Sequence, residues 1–242
     1  MRNLIKKELY FALSSYSIYI VVILFLLCNS LLIWVFNNDS NILNNNLASL
    51  ESFFNISPLI LIMFIPAITM NLFNSETESG NIEILLTKPL SHSLIILSKY
   101  LSSIIISLLM ITPTIIYVLI LNNISANNID YAEIISSYVG LFFILMSFNS
   151  IGVLVSVISK SQITSLFTTI LLCWLFYFGI DLIIENINSQ EINLILSFFC
   201  IKTHYMSLKN GIIFISDIIY FLSFSFTFII IIIKFLTLYE KN

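Results

Sequence analysis

The chain has 242 residues, of which 59% are hydrophobic and only 10% charged, with mean hydropathy +1.03 and a formal net charge of −3. A soluble domain carries about 25% charged residues, so this composition cannot cover a water-facing surface, and lipid is the solvent that suits it. The small net charge says little about partners, and no basic run is long enough to suggest nucleic acid.

Crossing about 30 Å of hydrocarbon as a helix takes roughly 20 apolar residues. Ahead of the first such run, residues 1–14 mix Arg2, Lys6 and Lys7 with Leu4, Ile5, Leu9, Phe11 and Leu13. That pattern predicts a short amphipathic helix lying in the membrane interface. The first span is 16–36. Its apolar run is too long for a cleavable signal peptide, and no small-x-small site follows before Asn37. The second, 56–73, is short and holds Pro58 and Pro66. Between it and the third span, Ser75 and Glu78 have capping-box spacing, Pro89 would stop a helix, and Ser91 would cap the next one. This loop reads either as a solvated hinge or as a short acidic and apolar helix offered to a soluble partner.

The third span, 95–121, contains Pro113, and Lys99 near its start is expected to snorkel to an interface. The fourth, 134–158, carries Ser147, Asn149, Ser150, Gly152 and Ser156. The Gly152/Ser156 spacing allows close helix approach, and it suits packing better than a substrate path. A tight turn, Ser159-Lys160-Ser161-Gln162, leads into the fifth span, 163–184. The stretch 185–217 contains Ile192, Leu194, Ile195, Leu196, Phe198 and Phe199. That run is too short to cross, so a re-entrant or interfacial segment is expected. The sixth span is 218–238, with Lys234 placed to snorkel.

The fold class expected is therefore all-α integral membrane, a single transmembrane domain over 1–242 with six transmembrane helices. With the N-terminus inside, Arg2, Lys6, Lys7, Lys88, Lys99, Lys160, Lys234 and Lys241 fall on the cytoplasmic side, and only Lys202 and Lys209 fall outside. That bias places both termini in the cytoplasm.

Catalytic constellations are hard to find. There is no His-Glu-x-x-His, His92 and His204 are expected at opposite faces, and no two Asp residues share an intramembrane depth. Asp181 and Asp217 fall at helix ends, where solvated or capping roles are expected. The many serines have no general base at their own depth. Cys28, Cys173 and Cys200 are odd in number and widely spaced, which suits packing rather than disulfides or metal. The five glycines, at 80, 140, 152, 179 and 211, form no phosphate-binding loop. An enzyme is not expected, and a nucleotide that drives this chain must bind another polypeptide.

Several motifs together resemble a known family. They are Lys6-Lys7-Glu8-Leu9 with Ser14-Ser15 and Tyr19-Ile20-Val21, Ser137-Tyr138-Val139-Gly140, Ile151-Gly152 followed by Ser159 to Ile163, and Asp217 with Tyr220-Phe221-Leu222-Ser223. In the loop, Glu76, Ser79, Gly80, Glu83, Leu85, Leu86 and Pro89 match a pattern of acidic pair, basic pair, Ser-Gly-Thr-x-Glu-x-Leu-Leu-x-x-Pro. Ser75, Thr77 and Glu78 depart from it. The chain resembles the permease subunits of type 2 ABC exporters, particularly the gliding-motility-associated branch. The resemblance implies a homodimer, or a heterodimer with a related permease, in the inner (plasma) membrane, in contact with lipid. It implies ABC ATP-binding subunits on the cytoplasmic face that hold the ATP, with no cofactor in this chain. Glu76, Gly80, Glu83 and Pro89 would belong to a cytoplasmic coupling helix, and the outer stretch would be re-entrant. The alternative is a non-transporting membrane scaffold or assembly factor, which needs neither a coupling loop nor a partner ATPase.

Overall fold

The computed structural model describes residues 1–36, 49–78, 80, 91–124, 130–187 and 189–239, and every regular element among them is helical. In chain order these are α1 (Arg2–Ser14), α2 (Tyr16–Ser30, ending in a π-helical turn Leu31–Val35), α3 (Glu51–Thr69) and α4 (Asn71–Glu78). Then come α5 (His92–Ile111), a 3₁₀ turn (Thr112–Thr114), α6 (Ile115–Ile124), α7 (Tyr131–Ile158) and α8 (Gln162–Trp174, with a π-helical turn Leu175–Gly179). Last come α9 (Ile180–Asn186), α10 (Gln190–Ser197), α11 (Ile201–Lys209) and α12 (Ile215–Tyr239).

Six helical stretches are long and apolar enough to cross a bilayer: Tyr16–Val35, Glu51–Glu76, His92–Asn123, Tyr131–Ile158, Gln162–Ile184 and Ile215–Thr237. Five begin within three residues of the expected start. The second begins five residues early and is 26 residues long, not short. Its first turn carries Glu51 and Asn55, polar residues that hide a helix from a hydropathy reading, and both bond Lys209. Helix continues past Thr69 into α4, so Ser75 is not an N-cap. Its hydroxyl donates back to the Asn71 carbonyl at 2.7 Å, inside the helix.

Local chemistry sets the other boundaries. Asp130 caps α7 by accepting from the backbone N–H groups of Ala132 and Glu133 at 2.9 and 3.3 Å. Ser161 caps α8 through Thr164 N–H at 3.3 Å. Ser91 does occupy the N-cap position of α5, though without a side-chain bond. At Pro113 the third span breaks into the 3₁₀ turn, because proline has no N–H to donate. The hydroxyls of Thr112 and Thr114 donate to the carbonyls of Leu108 and Ile111, in the last turn of α5 before that break, each at 2.7 Å.

Helix α7 is the axis of the bundle. Of its most apolar window 72% is buried, against 17% for the first and fifth spans. It packs on α12, α3, α11, α8 and α5, with Leu141, Ile144, Leu145, Phe148 and Ile151 fully buried. Lipid tails are as apolar as these side chains, so close backbone approach, not hydrophobicity, favours such contacts. Gly152 supplies it: a Cβ there would lie 2.2 Å from Thr69 Oγ1 and 2.7 Å from Thr69 Cβ. Gly140 does the same under α11, where a Cβ would meet the Tyr205 ring at 3.0 Å.

Candidate functional site

The charged side chains of the spans gather at the two ends of the bundle. At the α1 end, Lys99 of α5 is 2% exposed, so it does not snorkel. The continuation of the second span as α4 brings the backbone of Leu72 and the side chain of Glu76 over it. Lys99 Nζ donates to the Leu72 carbonyl, and it pairs with Glu76 Oε2 at 3.0 Å and with Glu8 Oε2 of α1 at 3.3 Å. It also lies 4.9 Å from the centre of the Phe73 ring. One ammonium thus joins three elements: α1, α4 and its own helix. Asn74, also on α4, donates to the Ser161 carbonyl at 3.2 Å, tying α4 to the turn between α7 and α8. Beside this knot opens a cleft of about 530 Å³, lined by Lys7, Glu8, Ser15, Asn71, Glu76 and Lys99 over an apolar floor that includes Ile18, Ala67 and Ile106.

Helix α4 leads into the loop where the coupling residues were expected. Of those four, Glu76 is placed against another charge, that of Lys99. Gly80 has φ of +70° with no described atom within 4 Å of where a Cβ would stand. Its glycine therefore answers to a left-handed backbone. Glu83 and Pro89 lie outside the described residues. The loop's two stems, α4 before it and α5 after it, are held together by the Glu76–Lys99 pair.

At the opposite end, the stretch expected to be re-entrant or interfacial forms two short helices with different roles. In α10 and the turn after it, Leu194, Ile195, Phe198 and Phe199 are at least 60% exposed. In α11, Ile201, Tyr205 and Leu208 are fully buried against the bundle. The three basic residues of α11 each reach a different span. Lys202 pairs with Asp181 at the end of the fifth. His204 Nδ1 meets Asp217 Oδ1 of the sixth at 2.8 Å, and Lys209 pairs with Glu51 of the second at 3.0 Å. Ser207 donates to the other oxygen of Asp217, and the His204 ring stacks on Tyr220 at 4.0 Å. Asp181 is thus ion-paired and Asp217 is held by hydrogen bonds from α11, whereas solvated or capping roles were expected. The Tyr205 hydroxyl donates to the Phe54 carbonyl at 2.7 Å, and burial holds it well above the usual tyrosine range, so it stays a donor.

Between the ends, the buried polar groups are uncharged. Ser107 and Asn149 bond across α5 and α7, with Asn149 Nδ2 donating to Ser107 Oγ at 3.0 Å, and Ser57 Oγ donates to Asn29 Oδ1 at 3.2 Å. Ser102, Ser103, Ser147, Ser150 and Ser156 donate to carbonyls of their own helices. These serines therefore serve packing. Among the described residues no three His, Cys, Asp or Glu side chains come together as a metal site would need.

The expected list missed Glu8 and Lys99, and it missed the three basic residues of α11. An ionisable residue next to an apolar run is costly unless it is paired. Lys99 therefore carried the one usable signal, and its partners did not.

Six apolar helices, five of them packed around a buried central one, with the buried charges paired at the two ends, define a multi-pass helical membrane protein. The sequence model of the ABC-2 family transporter protein matches residues 2–239, and the chain belongs to that family. It is the membrane permease component of an ABC transporter, a class that normally pairs with an ABC ATPase subunit. No curated protein matches the chain.

Proposed function

We propose that the chain, as one transmembrane domain, forms the translocation pathway of a type 2 ABC exporter of the gliding-motility-associated branch. It works in the inner (plasma) membrane with both termini in the cytoplasm, as a homodimer or with a related permease. ATP is hydrolysed on separate subunits that dock on the loop after α4. Glu76 lies at the loop's stem, and Gly80, Glu83 and Pro89 lie within it. Closure of the ATPases moves the loop, and its tied stems pass that motion to α1, α5 and the α7–α8 turn. The short outer helix α10 dips its exposed apolar residues into the outer leaflet.

The family match across residues 2–239 carries this reading. The chain's five glycines form no phosphate loop, which supports a nucleotide site on a partner. The test is purification of the tagged chain from its own cells in mild detergent. A Walker-motif ATPase is expected in stoichiometric amount, with hydrolysis that is lost when that subunit is removed. Recovery of the intact chain in native membranes with no such subunit would mean a scaffold.

A further inference from the structure

Helix α1 divides its residues in a way that its amphipathic composition hides. Leu4, Ile5, Glu8, Leu9 and Ala12 are partly buried, and α1 packs against α5. Most of the apolar stripe is therefore turned toward protein, not lipid. The opposite arc presents Arg2, Asn3, Lys6, Lys7, Tyr10 and Ser14, all exposed, together with the exposed apolar side chains of Phe11 and Leu13. Glu8, the one acid of the helix, faces inward onto Lys99. Arg2, Lys6 and Lys7 make no ion pair among the described residues. The outward face therefore carries three cations and no anion.

We propose that this face docks on anionic lipid headgroups of the leaflet that α1 borders. Ser15 alone separates α1 from the first span, so the helix cannot leave the level at which α2 emerges from the bilayer. Tyr10 and Tyr16, 79% and 87% exposed, sit at that junction, and a basic face studded with aromatics is the composition of a membrane interface. Phe11 and Leu13 add apolar contact on this face, and its three cations make the attachment depend on lipid charge. Each Lys or Arg near an anionic surface shifts such an equilibrium by about five-fold, so three shift it by roughly a hundred-fold.

The proposal does not rest on the ATPase reading, and the chain alone tests it. A nitroxide at Asn3→Cys, in a Cys28→Ser background, reports collisions with a water-soluble nickel chelate in nanodiscs. Accessibility should fall on going from pure phosphatidylcholine to 30% phosphatidylglycerol, and recover at high salt. Arg2→Gln/Lys6→Gln/Lys7→Gln should abolish the difference while leaving the unfolding midpoint unchanged. Equal accessibility in both lipids would overturn the proposal. So would protection gained only when a purified ATPase subunit is added, which would assign the face to a protein partner.

Discussion

Replacing Lys99 by methionine keeps the length of the side chain and removes its charge from a site only 2% exposed. Two carboxylates, Glu8 and Glu76, would then face each other without the ammonium that lies 3.3 and 3.0 Å from them. The Leu72 carbonyl would lose its donor, and the contact with the Phe73 ring would go as well. Removing one partner of a buried ion pair costs about 3–5 kcal/mol, whereas an exposed pair is worth about 0–1 kcal/mol. Lys99→Met should therefore lower stability by about 3–5 kcal/mol, read from denaturant titration in mixed micelles. Because most of that loss is uncompensated charge rather than lost attraction, Lys99→Met/Glu8→Gln/Glu76→Gln should recover more than half of it. Wild-type stability in the single variant, or no recovery in the triple one, would refute the buried-knot reasoning.

Gly152→Ala places a Cβ 2.2 Å from Thr69 Oγ1, and overpacking of this kind costs about 1–3 kcal/mol. Thr69→Ala should relieve it only in part, since the Thr69 Cβ itself stands at 2.7 Å, and the same titration measures both. Gly80→Val meets a φ of +70°, a conformation that costs an L-residue roughly 1–2 kcal/mol. It should weaken ATPase copurification while insertion stays normal, and Gly80→Asn should be milder. Glu83→Ala should weaken copurification about ten-fold or more, the worth of a charge-assisted hydrogen bond of about 1.5–3 kcal/mol, and wild-type recovery in both loop variants would remove the loop from coupling. Single cysteines at Asn44, Asn127 and Gln190 should label from outside the cell and those at Asn81 and Lys241 only from inside, and an externally labelled position 81 would invert the topology.

The spans were legible in the sequence because bilayer thickness sets a length that runs of apolar residues either reach or miss. Where the reading slipped, polar residues were the cause. Glu51 and Asn55 concealed the first turn of α3, and Ser75 was read as a cap when it lies one turn into α4. The stretch after α9 was recognised as too short to cross. Its split into an exposed α10 and a buried α11 was not visible, because both are short and rich in apolar residues.

What the sequence by itself determined is the solvent, the number and approximate limits of the spans, the lack of a phosphate loop in this chain, and the small residues that let helices meet. Each follows from composition or from spacing within a few residues. Only the tertiary structure decided which charges meet. Lys99 lies 91 residues from Glu8, and Lys209 lies 158 residues from Glu51. In the sequence each stands as a lone charge beside an apolar run, to be read as snorkelling or solvated. An ion pair depends on distances of about 3–4 Å and on the exclusion of water, and both arise only once the helices are packed.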